Sequence, residues 1–323
     1  DMKKWLKDVT VSPEKQAMPI MTYPGLKLIK KNIKEMVTDG KTQFKCVKAL
    51  AERFPSAAAI TVMDLSVEAE AFGSPVSYSE TEVPSVSARI ANDAKTVLNL
   101  TIPEVGAGRT NEYIKAASLA SQNIEDKPTF GGQIGPFSLA ARLYGMTEIM
   151  MALILEPKTV HILLEKAAAF LVRYAQAFKK AGAGLLSPAH CQEFSSGYIK
   201  QIVHAVQDDA FIVILHNCGN TLNLVDSMVS TGAASLHFGN TVDMAEIMPQ
   251  VPPDRVAFGN VDPAGLLKNG TPDEIKAGVI KLLKKTASYK NFILSSGCDI
   301  PPGTTLENID AFFEALNEYN GAI

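Results

Sequence analysis

Two side chains that bind metal ions stand two residues apart in this chain, and a third follows 80 residues later. His216 and Cys218 come at the end of the apolar run Phe211–Leu215, and Cys298 follows a second apolar run, Phe292–Gly297. Imidazole and thiolate are the side chains that zinc binds best in proteins. Residues i and i+2 of an extended strand point to the same side, so His216 and Cys218 are expected to share one ion.

Three protein ligands would leave one coordination position of the metal free. We expect Cys298 to complete the site from the end of a neighbouring strand. Catalytic zinc keeps its fourth position for water or substrate, whereas structural zinc has four protein ligands. The sequence therefore predicts a catalytic zinc site, and a fourth protein ligand would instead favour zinc as a structural clip.

The composition is that of an ordinary globular protein. The 323 residues are 46% hydrophobic and 20% charged, with a net charge of −3. The absence of a basic run predicts no nucleic-acid or membrane-surface partner, and no stretch approaches the ~18 apolar residues of a membrane span. The start of the chain has no apolar signal core, and its four cysteines form no disulfide framework, so we expect a cytoplasmic protein. Because the chain starts at Asp1 rather than Met, we expect the gene to begin upstream.

Short apolar runs alternate with helical patterns, which is typical of a parallel sheet. An α/β fold of the (β/α)8 TIM barrel type is favoured over an open sheet, because no glycine-rich nucleotide turn follows an early strand. We predict one domain over residues 1–323, with a helical N-terminal extension over residues 1–56. The predicted strands are Met18–Met21, Ala58–Asp64, Thr129–Ile134, Phe211–His216, Ala234–Phe238, Arg255–Asn260 and Phe292–Ser296.

One connection does not fit a regular barrel. The predicted helix Pro157–Ala181 is followed by Gly182–Pro188 and then by another helical pattern, Gln192–Val206. So short a connection leaves no room for a strand and its loop. We therefore expect that a mobile loop segment is missing from the sequence near Gly184–Leu185.

Barrel enzymes carry their active sites at the carboxyl ends of the strands. The three predicted ligands stand there, and so does Asp64. Asp64 and Glu68 are second candidates, for orienting substrate, for acid–base chemistry or for the fourth metal position. The alternative for Asp64 is a loop-fixing role, and the alternative for Glu68 is an ordinary surface charge.

The remaining thiols and imidazoles are given structural interpretations, with one exception. His237, near a strand end, is a minor candidate for the site. The others are interpreted as buried thiols or as structural or exposed imidazoles: Cys46, Cys191, His161, His190 and His204.

Four segments of the sequence resemble the uroporphyrinogen decarboxylase superfamily and, within it, the cobamide-dependent methyltransferases. They are Met63–Gly73, Gly135–Ala140, His216–Gly219 and Gly297–Thr304. The resemblance covers nearly the whole chain. It implies a zinc ligand set of a His-x-Cys pair and a distant Cys, which corresponds to the three residues named above.

The resemblance also implies the reaction and its partners. A methyl group would move between a corrinoid (methylcobalamin), carried by a partner protein, and a small donor or acceptor such as a thiol. Zinc would hold a thiol substrate as thiolate. The direction stays open, and so does the choice among coenzyme M, tetrahydrofolate, a methylamine, a methoxylated aromatic and a quaternary amine. The residues predicted to support this cofactor site are Gly135, Asn217, Asn220 and Asp299.

Two other functions remain as alternatives. Uroporphyrinogen decarboxylases carry an arginine-rich segment near the N-terminus, but the corresponding stretch Met18–Gly25 has no arginine. A substrate with many carboxylates needs several cations, so decarboxylation is the second choice. The third is a non-catalytic barrel that binds a ligand or a corrinoid protein and uses zinc structurally.

Overall fold

The computed structural model describes residues 1–188 and 192–322. The interpretations of His190 and Cys191 therefore fall outside the described residues. The strands are β1 (Ala59–Ile60), β2 (Val76–Ser77), β3 (Ser85–Val86), β4 (Thr129–Gly132), β5 (Gly184–Pro188), β6 (Val213–Asn217), β7 (Ser235–Phe238), β8 (Val256–Val261) and β9 (Phe292–Ser296).

Seven of these strands form one parallel sheet in the order β1-β4-β5-β6-β7-β8-β9, while β2 and β3 form a separate antiparallel pair. An extended segment near the N-terminus bridges the gap between β9 and β1. The amide of Met18 donates to the carbonyl of Leu294 at 2.8 Å, and the amide of Ala57 donates to the carbonyl of Ala17 at 2.8 Å. The predicted strand Met18–Met21 is thus a bridging segment with few ladder bonds, and the predicted α/β barrel is confirmed.

Helices cover the outside of the sheet. Four helices precede β1, as the predicted N-terminal extension requires: α1 (Met2–Val11), α2 (Leu26–Ile29), α3 (Ile33–Thr38) and α4 (Gly40–Arg53). The others are α5 (Val67–Ala71), α6 (Ala94–Asn99), α7 (Thr110–Asn123), α8 (Pro136–Tyr144), α9 (Met146–Leu155), α10 (Pro157–Lys180), α11 (Gly197–Val206), α12 (Val225–Ser230), α13 (Met244–Ile247), α14 (Pro272–Lys285) and α15 (Leu306–Gly321).

None of the described helices is by itself long and apolar enough to cross a membrane. The pair α8 and α9 meets the length and composition criteria only when the two are joined, and they are bent by 104° at their junction.

Strand β5 occupies the connection where the sequence predicted a missing segment. Helix α10 ends at Lys180, Gly182 turns the chain with a φ of +81°, and the strand begins at Gly184. Successive residues of β5 pair in register with β4 and with β6. The expectation that this connection has no room for a strand was wrong, because a glycine at positive φ lets a helix turn into a strand within very few residues. The missing segment near Gly184–Leu185 stays a prediction.

Side chains alternate along each strand between the barrel interior and the helix layer. On β6 and just before it, Ile212 and Ile214 belong to the interior cluster, while Val213 and Leu215 pack with the helices. The same alternation turns His216 inward at the carboxyl end of the barrel.

Candidate metal and substrate site

His216 lies in the barrel interior with one ring nitrogen engaged and the other free. Its partner in the β6–β7 register is His237, and the two Nδ1 atoms are 2.8 Å apart. Its Nε2 is buried and has no hydrogen-bond partner in the described part of the chain. Buried polar atoms normally have a partner, so an unpaired ring nitrogen marks a position for a ligand.

His237 is buried completely and is held between two groups. Its Nδ1 faces His216, and its Nε2 lies 2.9 Å from the Oγ of Ser295. Burial, followed by the proximity of His216, lowers the pKa of His237 well below its usual value of 6.5. Its ring is therefore neutral at neutral pH.

The structure brings Cys218 and Cys298 together. Both cysteines are in the thiol form and partly exposed, and their side chains are hydrogen-bonded to each other. The bond to Cys218, and then burial, raise the pKa of the Cys298 thiol, so that it carries its proton in the absence of a metal. Cys298 therefore lies next to Cys218, the cysteine of the His-x-Cys pair, as the sequence analysis expected.

The three predicted ligands do not come together as one cluster in the structure. Within residues 1–188 and 192–322, no three His, Cys, Asp or Glu side chains are arranged so that they could hold an ion. The donor set itself suits zinc, because two thiol sulfurs and an imidazole nitrogen with a free lone pair are its preferred ligands.

The asparagines beside the ligands shape the loop after β6. The Oδ1 of Asn217 accepts a hydrogen bond from the amide of Gly219 at 2.9 Å, and the Oδ1 of Asn220 accepts one from Leu222 at 3.3 Å. Asn217 is buried and Asn220 is exposed. Both side chains stabilise the turn that carries Cys218, and their binding of a cofactor stays a prediction.

A cavity of about 310 Å³ opens beside Asp64 and Asp299, and none of the three predicted ligands is among its lining residues. Asp299, which follows Cys298 directly, lines it together with Tyr23, Asp64 and Arg142, and the rest of its wall is apolar. This is the size and character of a site for a small molecule. A second cavity of about 680 Å³ lies beside α1, away from the predicted ligands.

Asp64 is fixed by four hydrogen bonds. Its Oδ1 accepts from the amide of Ser66 at 2.9 Å and from the Ser66 hydroxyl at 2.6 Å. Its Oδ2 accepts from the Nη1 of Arg109 at 2.6 Å and from the Tyr113 hydroxyl at 3.0 Å. Arg109 also donates to Glu70 at 2.7 Å and to Ser66 at 2.8 Å. These are the contacts of a residue that fixes a loop, which is the alternative interpretation of Asp64.

Glu68 is buried rather than a surface charge. Its Oε1 accepts the amide of Ile134 at 2.9 Å, and its Oε2 is buried without a hydrogen-bond partner in the described residues. Burial raises its pKa from 4.5 to about 7. Gly135, one residue beyond Ile134, begins helix α8 with a φ of −80°, so no special backbone angle demands glycine there.

Asp299 and Arg142 set the charge of the cavity. Burial raises the pKa of Asp299 well above 3.8, which favours the neutral form of this carboxyl. Arg142 forms no ion pair with any described residue, and it donates a hydrogen bond to the carbonyl of Ser138 at 3.3 Å. Glu68 and Asp64 lie close enough to act on its charge, so Arg142 is a cation of the cavity lining whose charge they offset in part.

The sequence analysis missed Arg109, Arg142 and Ser295, and gave His237 only a minor place. Arg109 immediately precedes helix α7 and Arg142 lies on helix α8, so no local pattern marks them. The inward direction of Ser295 could have been predicted, because Ser295 lies two residues after the inward residue Ile293 on β9. The structural interpretations of Cys46, which is buried, and of His204, which is exposed, are confirmed.

A barrel with a cavity and ionisable groups at the carboxyl ends of its strands defines the chain as an α/β-barrel enzyme. The profile of the uroporphyrinogen decarboxylase family matches residues 4–319, so this chain belongs to that family. The predicted family and barrel fold are both confirmed.

Relatives in this family include two kinds of enzyme. The chain is 28% identical over 270 residues to the methylcobamide:CoM methyltransferase MtbA of Methanosarcina mazei, covering 79% of this chain and 78% of that protein. It is 32% identical over 217 residues to the uroporphyrinogen decarboxylase of a Synechococcus species, covering 60% and 59%. A solved structure of a methyltransferase from Methanosarcina mazei superposes with a TM-score of 0.87 at 20% identity, over 98% of both chains.

Proposed function

We propose that this protein is a zinc-dependent methyltransferase that moves a methyl group between a corrinoid, carried by a partner protein, and a small thiol. The observation that carries the proposal is the hydrogen-bonded pair of thiols, Cys218 and Cys298, with the unpaired buried Nε2 of His216 two residues before Cys218 in the chain. Asp299, the residue after Cys298, lines a cavity of small-molecule size. The similarity to methyltransferases named for methylcobamide and CoM supports the same function.

The residues of this chain would have distinct roles in the proposed methyl transfer. His216, Cys218 and Cys298 would hold zinc, which when bound would keep a substrate thiol as thiolate at neutral pH. Apolar side chains and Asp299, whose pKa is raised by burial, would line the position of the substrate. The loop-fixing bonds of Asp64 would keep the cavity wall in place.

The charge of the cavity favours a thiol that carries an anionic group. Arg142 is the one cationic side chain among the residues lining this cavity in the described structure. It has no carboxylate partner of its own, so an anion of the substrate would pair with it. A sulfonate or carboxylate a few atoms from the sulfur meets this requirement.

Decarboxylation of a porphyrinogen is less well supported. Such a substrate carries many carboxylates, and a cavity lined by a single guanidinium offers too few cations for them.

The test is metal content together with methyl transfer. We expect about one zinc per chain in the wild type, and a strong loss of zinc in Cys298→Ala. Cys46→Ala is the matched control, since Cys46 is a buried thiol that bonds to the carbonyl of Thr22 and is not one of the predicted ligands. The zinc-loaded wild type should demethylate free methylcobalamin in the presence of thiols, and Cys298→Ala should not. A wild type that stays metal-free when zinc is supplied would refute the proposal.

A further inference from the structure

A chain of hydrogen bonds runs through the barrel interior and ends at His216. The Oγ of Ser295 donates to the carbonyl of Met18 at 2.6 Å. The same Oγ lies 2.9 Å from the Nε2 of His237, and the Nδ1 of His237 lies 2.8 Å from the Nδ1 of His216. Ser295, His237 and His216 are all at most 1% exposed, so water does not compete for these bonds.

The first bond sets the direction of all the others. A serine hydroxyl has a single hydrogen, and here the carbonyl of Met18 takes it. The Oγ of Ser295 must therefore accept a hydrogen from the Nε2 of His237. In a neutral imidazole only one nitrogen carries hydrogen, so the Nδ1 of His237 is left as an acceptor.

The acceptor role of the Nδ1 of His237 in turn determines which nitrogen of His216 carries its hydrogen. Facing an acceptor at 2.8 Å, the Nδ1 of His216 must carry the hydrogen and donate it. Its Nε2 then holds a bare lone pair, and this is the buried atom without a partner. We propose that Ser295 and His237 are positioning residues that fix His216 in the tautomer whose Nε2 can bind a metal. The consequence for zinc rests on the proposed function, but the tautomer assignment does not.

The physical reason for such an arrangement is the cost of the wrong tautomer. A histidine with its hydrogen on the metal-facing nitrogen must rearrange before it can bind, and its other nitrogen would face a second lone pair on His237. A partner on the far nitrogen therefore holds the ring in its binding orientation and raises its affinity for the ion. The bridging segment at Met18 takes part, because its carbonyl is the final acceptor.

The tautomers can be measured directly on the metal-free protein by nitrogen NMR of histidine-labelled samples. Protonated and unprotonated ring nitrogens resonate in separate ranges, and the chain has only five histidines. We expect the wild type to show His216 protonated on Nδ1 alone and His237 on Nε2 alone. In Ser295→Ala the preference should weaken, and Ser295→Thr, which keeps a hydroxyl, should restore it.

Zinc affinity provides the second readout, by competition with a chromophoric chelator. His237→Phe keeps the ring volume but removes the acceptor, and we expect a dissociation constant on the order of 10-fold to 100-fold higher. Ser295→Ala should weaken binding in the same direction. The matched control is Ser235→Ala on β7, because the Ser235 hydroxyl is buried and has no hydrogen-bond partner among the described residues.

The outcomes separate the two proposals. The proposed positioning role of Ser295 and His237 would be overturned by a wild-type His216 with its hydrogen on Nε2. Unchanged tautomers and zinc affinity in Ser295→Ala would overturn it too. A wild type that shows the expected tautomers of His216 and His237 but binds no zinc would support the tautomer assignment and refute the zinc-dependent function. Circular dichroism of each variant identifies any that fails to fold, and in that case Ser295→Thr and the wild-type tautomers still decide the question.

Discussion

Gly239 packs directly against the backbone of Cys218. A Cβ at position 239 would lie 2.6 Å from the Cα of Cys218 and 2.7 Å from its carbonyl oxygen. The amide of Gly239 also donates to the carbonyl of Asn217 at 2.9 Å. The end of β7 thus sets the position of a predicted metal ligand that follows β6.

Gly239→Ala should therefore displace Cys218 and weaken zinc binding. We expect a destabilisation of about 1–3 kcal/mol from the overpacking, and a zinc dissociation constant on the order of 10-fold higher. Chelator competition and urea unfolding measure the two effects. Gly197→Ala is the control, because a Cβ at position 197 meets nothing within 4 Å. Equal zinc affinity in both variants would contradict the predicted role of Gly239.

Replacing Arg109 should cost far more stability than replacing a surface arginine. Arg109 and Asp64 form an ion pair with 8% and 1% exposed side chains, so Arg109→Met leaves a buried carboxylate uncompensated. We expect a loss of about 3–5 kcal/mol in the free energy of unfolding. Arg53→Met removes an ion pair with Asp310 whose side chains are 43% and 37% exposed, and should cost at most about 1 kcal/mol. Urea unfolding compares the two, and similar losses would argue against the buried pair.

Glu68 should make stability depend on pH. Its pKa in the folded protein is about 7, above the usual 4.5, so the folded state binds the proton more tightly than the unfolded state. Its contribution is therefore fully present below about pH 4.5 and is lost as the pH rises through 7, amounting to about 3 kcal/mol.

Unfolding of Glu68→Gln from pH 4.5 to 8 measures this contribution. We expect the wild type to lose stability relative to Glu68→Gln as the pH rises, because glutamine has no proton to lose. Glu52→Gln, which changes an exposed carboxylate, should run parallel to the wild type. A constant difference between the wild type and Glu68→Gln over this range would refute the raised pKa.

Arg142 should select among thiol substrates. In Arg142→Met we expect the KM for a thiol that carries a sulfonate or carboxylate to rise on the order of 10-fold, since a charge-assisted pair is worth about 1.5–3 kcal/mol. The KM for an uncharged thiol of the same length should change little. Arg173→Met, which alters an exposed arginine paired with Glu104, is the control. Equal effects on both thiols would show that Arg142 does not pair with the substrate.

The sequence by itself determined the barrel and which residues of its strands face inward. Side chains alternate along a strand, so the inward direction of Ile212 and Ile214 follows from local geometry. Cys218 lies beyond the end of β6 at Asn217, so this period does not fix the direction of its side chain. The sequence analysis did not predict strand β5. Five residues with a nearby glycine resemble a turn, and only their pairing with neighbouring strands identifies them as a strand.

Only the tertiary structure decided which distant groups meet. Arg109 reaches Asp64 across 45 residues, and Ser295 reaches His237 across 58, and neither spacing follows a local period. Whether a carboxylate is paired, or which ring nitrogen is free, depends on side chains brought together by the closed barrel. The sequence therefore specifies which ionisable side chains stand at the strand ends. The tertiary structure decides their protonation states and their hydrogen-bond and ion-pair partners.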